Sequence, residues 1–287
     1  MKVLISGSNG FIGSALVAAL QARGDSVARV ARHSASGTID ANSISVADAV
    51  VHLAGARIGG RRWTAREKAK ILGSRVDGAR ALAQGVCRLD RPPKTFISAS
   101  AVGYYGTRGD EVLTEESAGG SGFRSQVCRR WEESADLASK CGARVVKLRS
   151  GLVFGRGGLL PFLSLPARLG FSLQLGDGFQ YWSWISLTDE VRAIMHLLDD
   201  NSIEGPVNLV SPHPLQQALF AAELRRVVGR GWVTKVPTAL IRLGLGREQA
   251  DEVLLSSLRV IPQKLTRSGF VFGDSDMGPC LRRILTG

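Results

Sequence analysis

Apolar positions in the first half of the chain fall into short continuous runs, separated by stretches with helical spacing. Lys2 to Ser6 is such a run, suited to a parallel strand covered on both faces. A glycine-rich turn follows, and Ser14 to Arg23 then repeats with a helical period up to Gly24, a natural C-cap. Asp25 to Ala31 and the Ala49–Ala54 portion of Val46 to Ala54 predict two further strands. Thr64 is placed to cap a helix, with Glu67 three residues on as in a capping box. That helix is predicted through Lys70 and onward over Ser74 to Val86, until Pro92-Pro93 stops it. Thr95 to Ala99 and Arg144 to Leu148 predict two more strands. Between them lie a polar, glycine-rich loop over Thr107 to Gly122 and a helix over Ser125 to Lys140. Such alternation of strand and helix predicts an α/β fold, a Rossmann-like doubly wound parallel sheet.

Beyond Gly158 the pattern changes. Leu159 to Arg168 reads as helical or irregular, Gln180 to Ser186 as an aromatic strand, and Leu187 to Asp200 as a helix. A strand over Gly205 to Val210, an amphipathic stretch over Leu215 to Val228 and a helix over Glu248 to Val260 complete the prediction. The expected division is a nucleotide-binding domain over 1–158 and mainly a small substrate lobe over 159–287. Elements around 185–210 are expected to return to the first sheet.

The glycines of the first turn carry the chemistry. Gly7, Ser8, Asn9, Gly10, Phe11, Ile12 and Gly13 set glycines at G-x-x-G-x-x-G spacing between a strand and a helix. One glycine permits the tight turn, another lets the backbone approach a pyrophosphate, and the last lets helix and strand pack closely. The helix N-terminus adds free N–H groups and a positive dipole end for the phosphates. After the second strand, where an acidic residue would favour a free ribose 2′-hydroxyl, the chain instead has Arg32, with Arg29 nearby. A guanidinium pairs strongly with phosphate, so the expected cofactor is NADP(H) rather than NAD(H).

Composition narrows the remaining classes. At 287 residues with 44% hydrophobic content, the chain can bury a sizeable core. No stretch is long and apolar enough to span a bilayer, and the start does not read as a signal peptide, so a cytoplasmic protein is expected and no membrane partner. The four cysteines, Cys87, Cys128, Cys141 and Cys280, are widely spaced and are read as free thiols; with four scattered histidines, no metal site is expected. The net charge of +12 raises nucleic-acid binding, but the cations fall as singles and pairs with no long basic run. An arginine-rich surface is the better reading, and no nucleic-acid partner is expected.

Several segments taken in order give a resemblance. They are Ile5–Gly13, His52-Leu-Ala-Gly55, Arg62-Trp63, Ile71-Leu-Gly-Ser-Arg75, Ser98–Gly106, Trp131-Glu132, Arg149–Gly158, Trp184-Ile185 and Val260–Leu265 with Gly269-Phe270. With these the chain resembles the extended and atypical short-chain dehydrogenase/reductases (SDRs), and within them the sugar-nucleotide-epimerase-like "epimerase family" branch, some members of which carry a cell-division-inhibitor label. The resemblance implies a Rossmann-like domain binding NADP(H) and a small C-terminal lobe over the nicotinamide. It implies cofactor contacts from Leu53, Ala54, Gly55, Arg75, Leu152 and Val153, besides the glycine turn and Arg32. It leaves a homodimer open and does not supply a substrate.

Catalytic relatives use a serine to orient the substrate oxygen, a tyrosine to exchange a proton with it, and a lysine one helical turn on to lower the tyrosine pKa. Ser100 matches the serine. The helix that should carry Tyr-x-x-x-Lys reads Phe123–Glu132 and contains neither. One alignment places Arg124 and Cys128 at the two positions; another places Val127 and Trp131 there. Tyr104 and Tyr105 are candidate substitutes for the phenol, and Arg75 or Arg129 for the positive charge. Cys128 is read as a packed helix cysteine rather than a reactive thiol, and Trp63, Trp182 and Trp184 as core aromatics or pocket walls. Two expectations remain: an NADP(H)-dependent oxidoreductase or epimerase-like protein for a small carbonyl, alcohol or nucleotide-linked sugar, or a non-catalytic NADP(H)-binding regulatory or scaffold protein, perhaps linked to cell division.

Overall fold

Six parallel strands form the main sheet, in the spatial order Gly205–Leu209, Arg144–Ser150, Thr95–Ala101, Ala49–His52, Lys2–Ser6 and Ser26–Arg29. The structure is a computed structural model, and the description covers residues 1–30 and 47–286. From Lys2–Ser6 the chain first goes outward to Ser26–Arg29, then crosses back to add Ala49–His52 on the other side. The strand order reverses there, and in open α/β sheets the crevice beyond the strands' carboxyl ends at such a reversal is where ligands bind.

Burial on both faces explains the apolar runs. Val3 and Ile5 point into one core with Leu16, Leu20, Val51, Ile97, Ile194 and Leu197, beneath the Phe11–Ala22 and Leu187–Asp199 helices. Leu4 points the other way, into a core with Val50, Leu82, Val86, Phe96 and Ala135 under the Ala65–Val86 and Phe123–Ala135 helices. The cap on the Ala65–Val86 helix forms as expected, Thr64 Oγ1 accepting from the Glu67 backbone N–H at 3.2 Å.

A second core belongs to the C-terminal half. Phe154, Leu160, Trp182, Trp184, Phe220, Leu224 and Leu281 pack among the Leu160–Arg168, Gln217–Val228 and Met277–Thr286 helices. A parallel pair of strands, Phe171–Leu175 and Trp232–Val236, flanks them.

Three expectations change. The helix over Glu248 to Val260 is instead a short helical turn, Arg247–Gln249, a π turn, Ala250–Leu254, and a strand, Arg259–Val260. The strand pairs with Val112–Leu113 from within the loop over Thr107 to Gly122, so long-range pairing overrides the local helical pattern. The helix over Ser125 to Lys140 runs Phe123–Ala135 and tightens into a 3-10 turn, Asp136–Cys141. That turn packs beside the end of the Ala65–Val86 helix, and Cys87 and Cys141 are joined there as a disulfide with Cα atoms 5.2 Å apart. Four free thiols were expected; only Cys128 and Cys280 are free, and both are buried. A separation of 54 residues hid the pairing, because only the tertiary fold brings the two ends together.

Candidate functional site

At the reversal of strand order, the Lys2–Ser6 strand turns through Gly7 to Gly10 and enters the Phe11–Ala22 helix. The turn is closed by the Gly10 N–H donating to Gly7 O at 2.9 Å. Gly7 has φ +78°, and a Cβ there would stand 2.7 Å from the Ala54 backbone nitrogen. A Cβ on Gly13 would stand 2.1 Å from Gly7 O, so no side chain fits where the helix meets the turn. No side chain caps this helix and its first turn holds no acidic residue. Its first N–H groups are therefore left for an outside acceptor.

The other residues expected around a cofactor gather on the same rim. Leu53, Ala54 and Gly55 leave the Ala49–His52 strand directly beside Gly7, with the Leu53 N–H donating to Ser6 O at 2.9 Å. Ser8 is buried, and Ile12 and Leu53 pack on the main core. The Phe11 ring lies against Gly155, Gly157 and Gly158, bringing the Leu152–Phe154 strand to the glycine turn. Arg29 Nη1 donates to Asn9 Oδ1 at 3.2 Å, fixing the end of the second strand to the turn. Arg32 lies outside the described residues.

Arg75 reaches this rim from the middle of the Ala65–Val86 helix. Its guanidinium carbon lies 3.4 Å from where a Gly55 Cβ would stand and 5.2 Å from the Trp131 ring centre. Its one hydrogen bond among the described residues goes to Ile71 O in its own helix, at 3.2 Å. Burial lowers its pKa, and an ordinary arginine value is so high that the group stays charged. Arg129 is different: its Nη1 is tied to Gly120 O at 2.6 Å.

Ser100 sits at the carboxyl end of the Thr95–Ala101 strand, buried, with its hydroxyl donating to Glu132 Oε1 at 2.7 Å. Arg149 on the next strand is Ser100's register partner and binds the same carboxylate through two contacts, Nε to Oε1 and Nη2 to Oε2, each 2.9 Å. Burial alone would lower the Arg149 pKa, but the Glu132 carboxylate outweighs it and the guanidinium is held more firmly charged than usual. Arg149 Nη1 also donates to Tyr105 Oη at 3.0 Å, and Tyr105 donates on to Asn208 Oδ1 at 2.7 Å. Glu115 closes the network, accepting from the Asn208 and Lys264 backbone N–H groups at 3.1 and 3.2 Å.

The two tyrosines lie on either side of Arg149. Tyr105 is fully buried, and burial pushes its phenol up to about 12, outweighing the nearby Arg149 charge. Tyr104 lies under the Arg149 guanidinium, 3.5 Å from its ring centre, with the phenol end against Gly119. Neither is brought to the glycine turn by any contact.

At the positions of the missing pair, Arg124 is half-buried and donates to Glu252 O, while the Glu252 carboxylate accepts from the Phe123 and Arg124 backbone N–H groups at 2.8 Å each. Cys128 is buried, and burial pushes its thiol up to about 11, so it stays protonated. Under the other alignment, Val127 and Trp131 are core residues. No proton-relay pair stands on this helix. Trp182 and Trp184 also belong to the core, while Trp63 is half-buried against Phe123 with ring centres 5.0 Å apart.

The sequence pointed to Ser100 but not to the Glu132–Arg149 pair that holds it. A signal was present for the arginine alone: Arg149 ends a largely apolar strand and must be partnered when buried, whereas Glu132 lies in a polar stretch of helix. Which strand and helix would meet was not in the local pattern.

A doubly wound sheet with a glycine cradle at its switch point and a serine at the adjacent strand end defines a protein of the short-chain dehydrogenase/reductase class. Comparison with known proteins narrows this. The model of the NAD dependent epimerase/dehydratase family matches residues 3–209, and a domain of unknown function, DUF1731, matches 236–284. An epimerase family protein of Mycobacterium bovis is 40% identical over 291 residues, covering 97% of this chain and 96% of the relative. The human epimerase family protein SDR39U1, whose crystal structure was determined with NADPH, superposes with a TM-score of 0.92 at 33% identity over 100% of both chains. A nucleoside-diphosphate sugar epimerase from Corynebacterium glutamicum superposes at 0.79 with 32% identity, over 99% of this chain and 58% of that one. The chain belongs to the NAD dependent epimerase/dehydratase family.

Among the described residues, no group of three or more histidine, cysteine, aspartate and glutamate side chains is set to hold a metal ion. No helix among them is long and apolar enough to cross a membrane.

Proposed function

We propose that this protein binds NADP(H) at the Gly7–Gly13 cradle and acts as an SDR-type oxidoreductase or epimerase-like protein on a small carbonyl, alcohol or nucleotide-linked sugar. The observation that carries this reading is Gly13, where any Cβ would run into the carbonyl of Gly7 and fill the cradle. NADPH in the human relative's crystal structure supports the same choice of cofactor.

When bound, the nicotinamide would supply or accept the hydride. The chain's part is to bind and orient. The first N–H groups of the Phe11–Ala22 helix would hold the pyrophosphate, and Leu53–Gly55 and Leu152–Val153 would hold the rest of the cofactor. Arg75 stands at Gly55 as a fixed positive charge. Because Ser100 gives its proton to Glu132, its oxygen is oriented as an acceptor, suited to a substrate hydroxyl. Titration with NADPH and NADH, repeated on Arg32→Ala, tests the cofactor. The expected result is tight NADPH binding that collapses in the variant while weak NADH binding does not change. Absence of both overturns the reading.

A second reading is binding without turnover. Arg124, half-buried and tied to Glu252, and Cys128, buried, stand under one alignment where a tyrosine and a lysine would be, and favour it. Turnover of any member of a carbonyl panel by the NADPH-loaded protein excludes it.

A further inference from the structure

The C-terminal lobe leaves a large apolar face uncovered. On the Leu160–Arg168 helix and its cap, Phe162, Leu165 and Leu169 are 72%, 63% and 70% exposed. Their spacing of three and then four residues sets them within about 60° of one another around the helix axis. The opposite side, Leu160, Leu163 and Ala167, is buried in the second core, so the stripe is held outward. Just past the helix, Phe171 and Trp232 are register partners on the flanking pair of strands, 46% and 67% exposed, with ring centres 6.4 Å apart. Helix end and strands are joined at two glycines. The Trp232 N–H donates to Gly170 O at 3.1 Å, and a Cβ on Gly231 would stand 2.1 Å from that oxygen. Leu169, Phe171 and Trp232 are therefore drawn to one corner. The three aromatics alone expose roughly 350–400 Å², at about 200 Å² for a whole aromatic side chain. With the two leucines the face reaches the upper end of the about 300–600 Å² of the largest patch on a typical monomer, which is often functional.

The charges beside this face have one sign. Arg168 adjoins Leu169, Arg230 lies two residues before Trp232, and Lys235 follows on the same strand; all three are exposed. Their neighbours Arg226 and Arg242 pair with Glu223 and Asp251, but these three form no ion pair among the described residues. No aspartate or glutamate occurs from 157 to 176 or from 224 to 247. A second copy in a two-fold pair would set the same patch against itself. That would bring these cations together with no acid to answer them, in a chain already carrying +12. An anionic bilayer surface answers both halves of the face. Phe, Leu and Trp side chains enter at the headgroup level, and Arg and Lys meet the lipid phosphates.

We infer that this face is a docking surface for an anionic membrane, on which the protein lies peripherally. Such docking needs no spanning helix, and none is present among the described residues. The inference goes beyond the proposed function and does not depend on it.

The test is sedimentation of the full chain with vesicles of equal parts phosphatidylcholine and phosphatidylglycerol, and with vesicles of phosphatidylcholine alone. Wild type is expected to bind the anionic vesicles at least about tenfold more tightly than the neutral ones. Trp232 is the exposed one of the five tryptophans, so tryptophan emission should shift to the blue on binding. Phe162→Gln/Leu165→Gln and Arg168→Gln/Lys235→Gln are each expected to weaken binding at least about tenfold. Melting temperature should hold, because the substituted side chains are exposed. Val271→Gln removes a 72% exposed apolar side chain beside the Leu187–Asp199 helix and should leave vesicle affinity unchanged. If the double apolar variant does not fold, Leu165→Gln alone carries the comparison. Absence of binding to anionic vesicles, or binding that ignores vesicle charge, overturns the inference, as does equal weakening by Val271→Gln. A dimer in sedimentation velocity that Phe162→Gln/Leu165→Gln splits also overturns it and assigns the face to a second copy.

Discussion

The glycine turn and the Ser100 cluster lie at the same carboxyl edge of the same sheet but are built in opposite ways. The turn is backbone, with side chains excluded and helix N–H groups left open. The cluster is side chain, with Ser100, Glu132, Arg149, Tyr105 and Asn208 bonded to one another and buried. A backbone site is ready for a ligand and tolerates almost no added atom. A closed side-chain network fixes the strand ends and leaves little free to react. The difference explains how a chain can keep its cofactor cradle while lacking the usual proton relay.

The largest effect should come from breaking the closed network. Glu132→Ala leaves the Arg149 guanidinium buried without its carboxylate and takes the acceptor from Ser100. A loss of about 3–5 kcal/mol is expected for removing one partner of a buried pair. Chemical denaturation measures it, and a loss under 1 kcal/mol would mean the pair is more exposed to water than its geometry indicates. The open site should respond in the other currency. Gly13→Ala must displace Gly7 O, and NADPH affinity should fall by roughly a hundredfold, about 3 kcal/mol. Unchanged affinity would show that the cradle is not where the dinucleotide lies.

The same contrast decides what could be read before folding. The Gly7–Gly13 spacing, the strand ahead of it and the Thr64 cap are local, so the chain announces them in consecutive residues. The main strands are legible because each is buried on both faces and therefore continuously apolar. The Glu132–Arg149 pair, the Cys87–Cys141 disulfide and the Arg259–Val260 strand are made by residues 17, 54 and about 147 positions from their partners. Local periodicity holds no record of those meetings, and at Glu248 to Val260 it favoured a helix that the pairing with Val112–Leu113 displaced.

A second buried carboxylate sharpens the comparison, because it has no cation. Glu190 is fully buried, accepts from Ser150 Oγ at 2.6 Å, and leaves Oε2 without a partner. Burial pushes it up to about 8, against 4.5 for an ordinary glutamate, with the Ser150 bond opposing in part. Between those two values the folded chain holds a proton that the unfolded chain releases, so stability falls as pH rises through that window. Glu190→Gln should therefore stabilise the protein at pH 7 by about 2–3 kcal/mol. The gain should widen toward pH 8 and vanish near pH 4.5 in thermal melts. A gain independent of pH would mean that Glu190 is ionised in the fold.

Ser100→Ala should have the smallest effect on stability, and it separates the two functional readings. The hydroxyl makes one charge-assisted hydrogen bond, and Glu132 keeps both contacts to Arg149 without it, so a loss of about 1–2 kcal/mol is expected. NADPH affinity should stay within a factor of two, because the cradle is backbone built from other strands. If the protein turns over a carbonyl or alcohol, kcat should fall by about two to four powers of ten, the usual range for removing a positioned proton-handling group. If turnover with an accepted substrate survives the substitution undiminished, Ser100 belongs wholly to the closed network, and the chemistry must be sought at Arg75 on the open side of the rim.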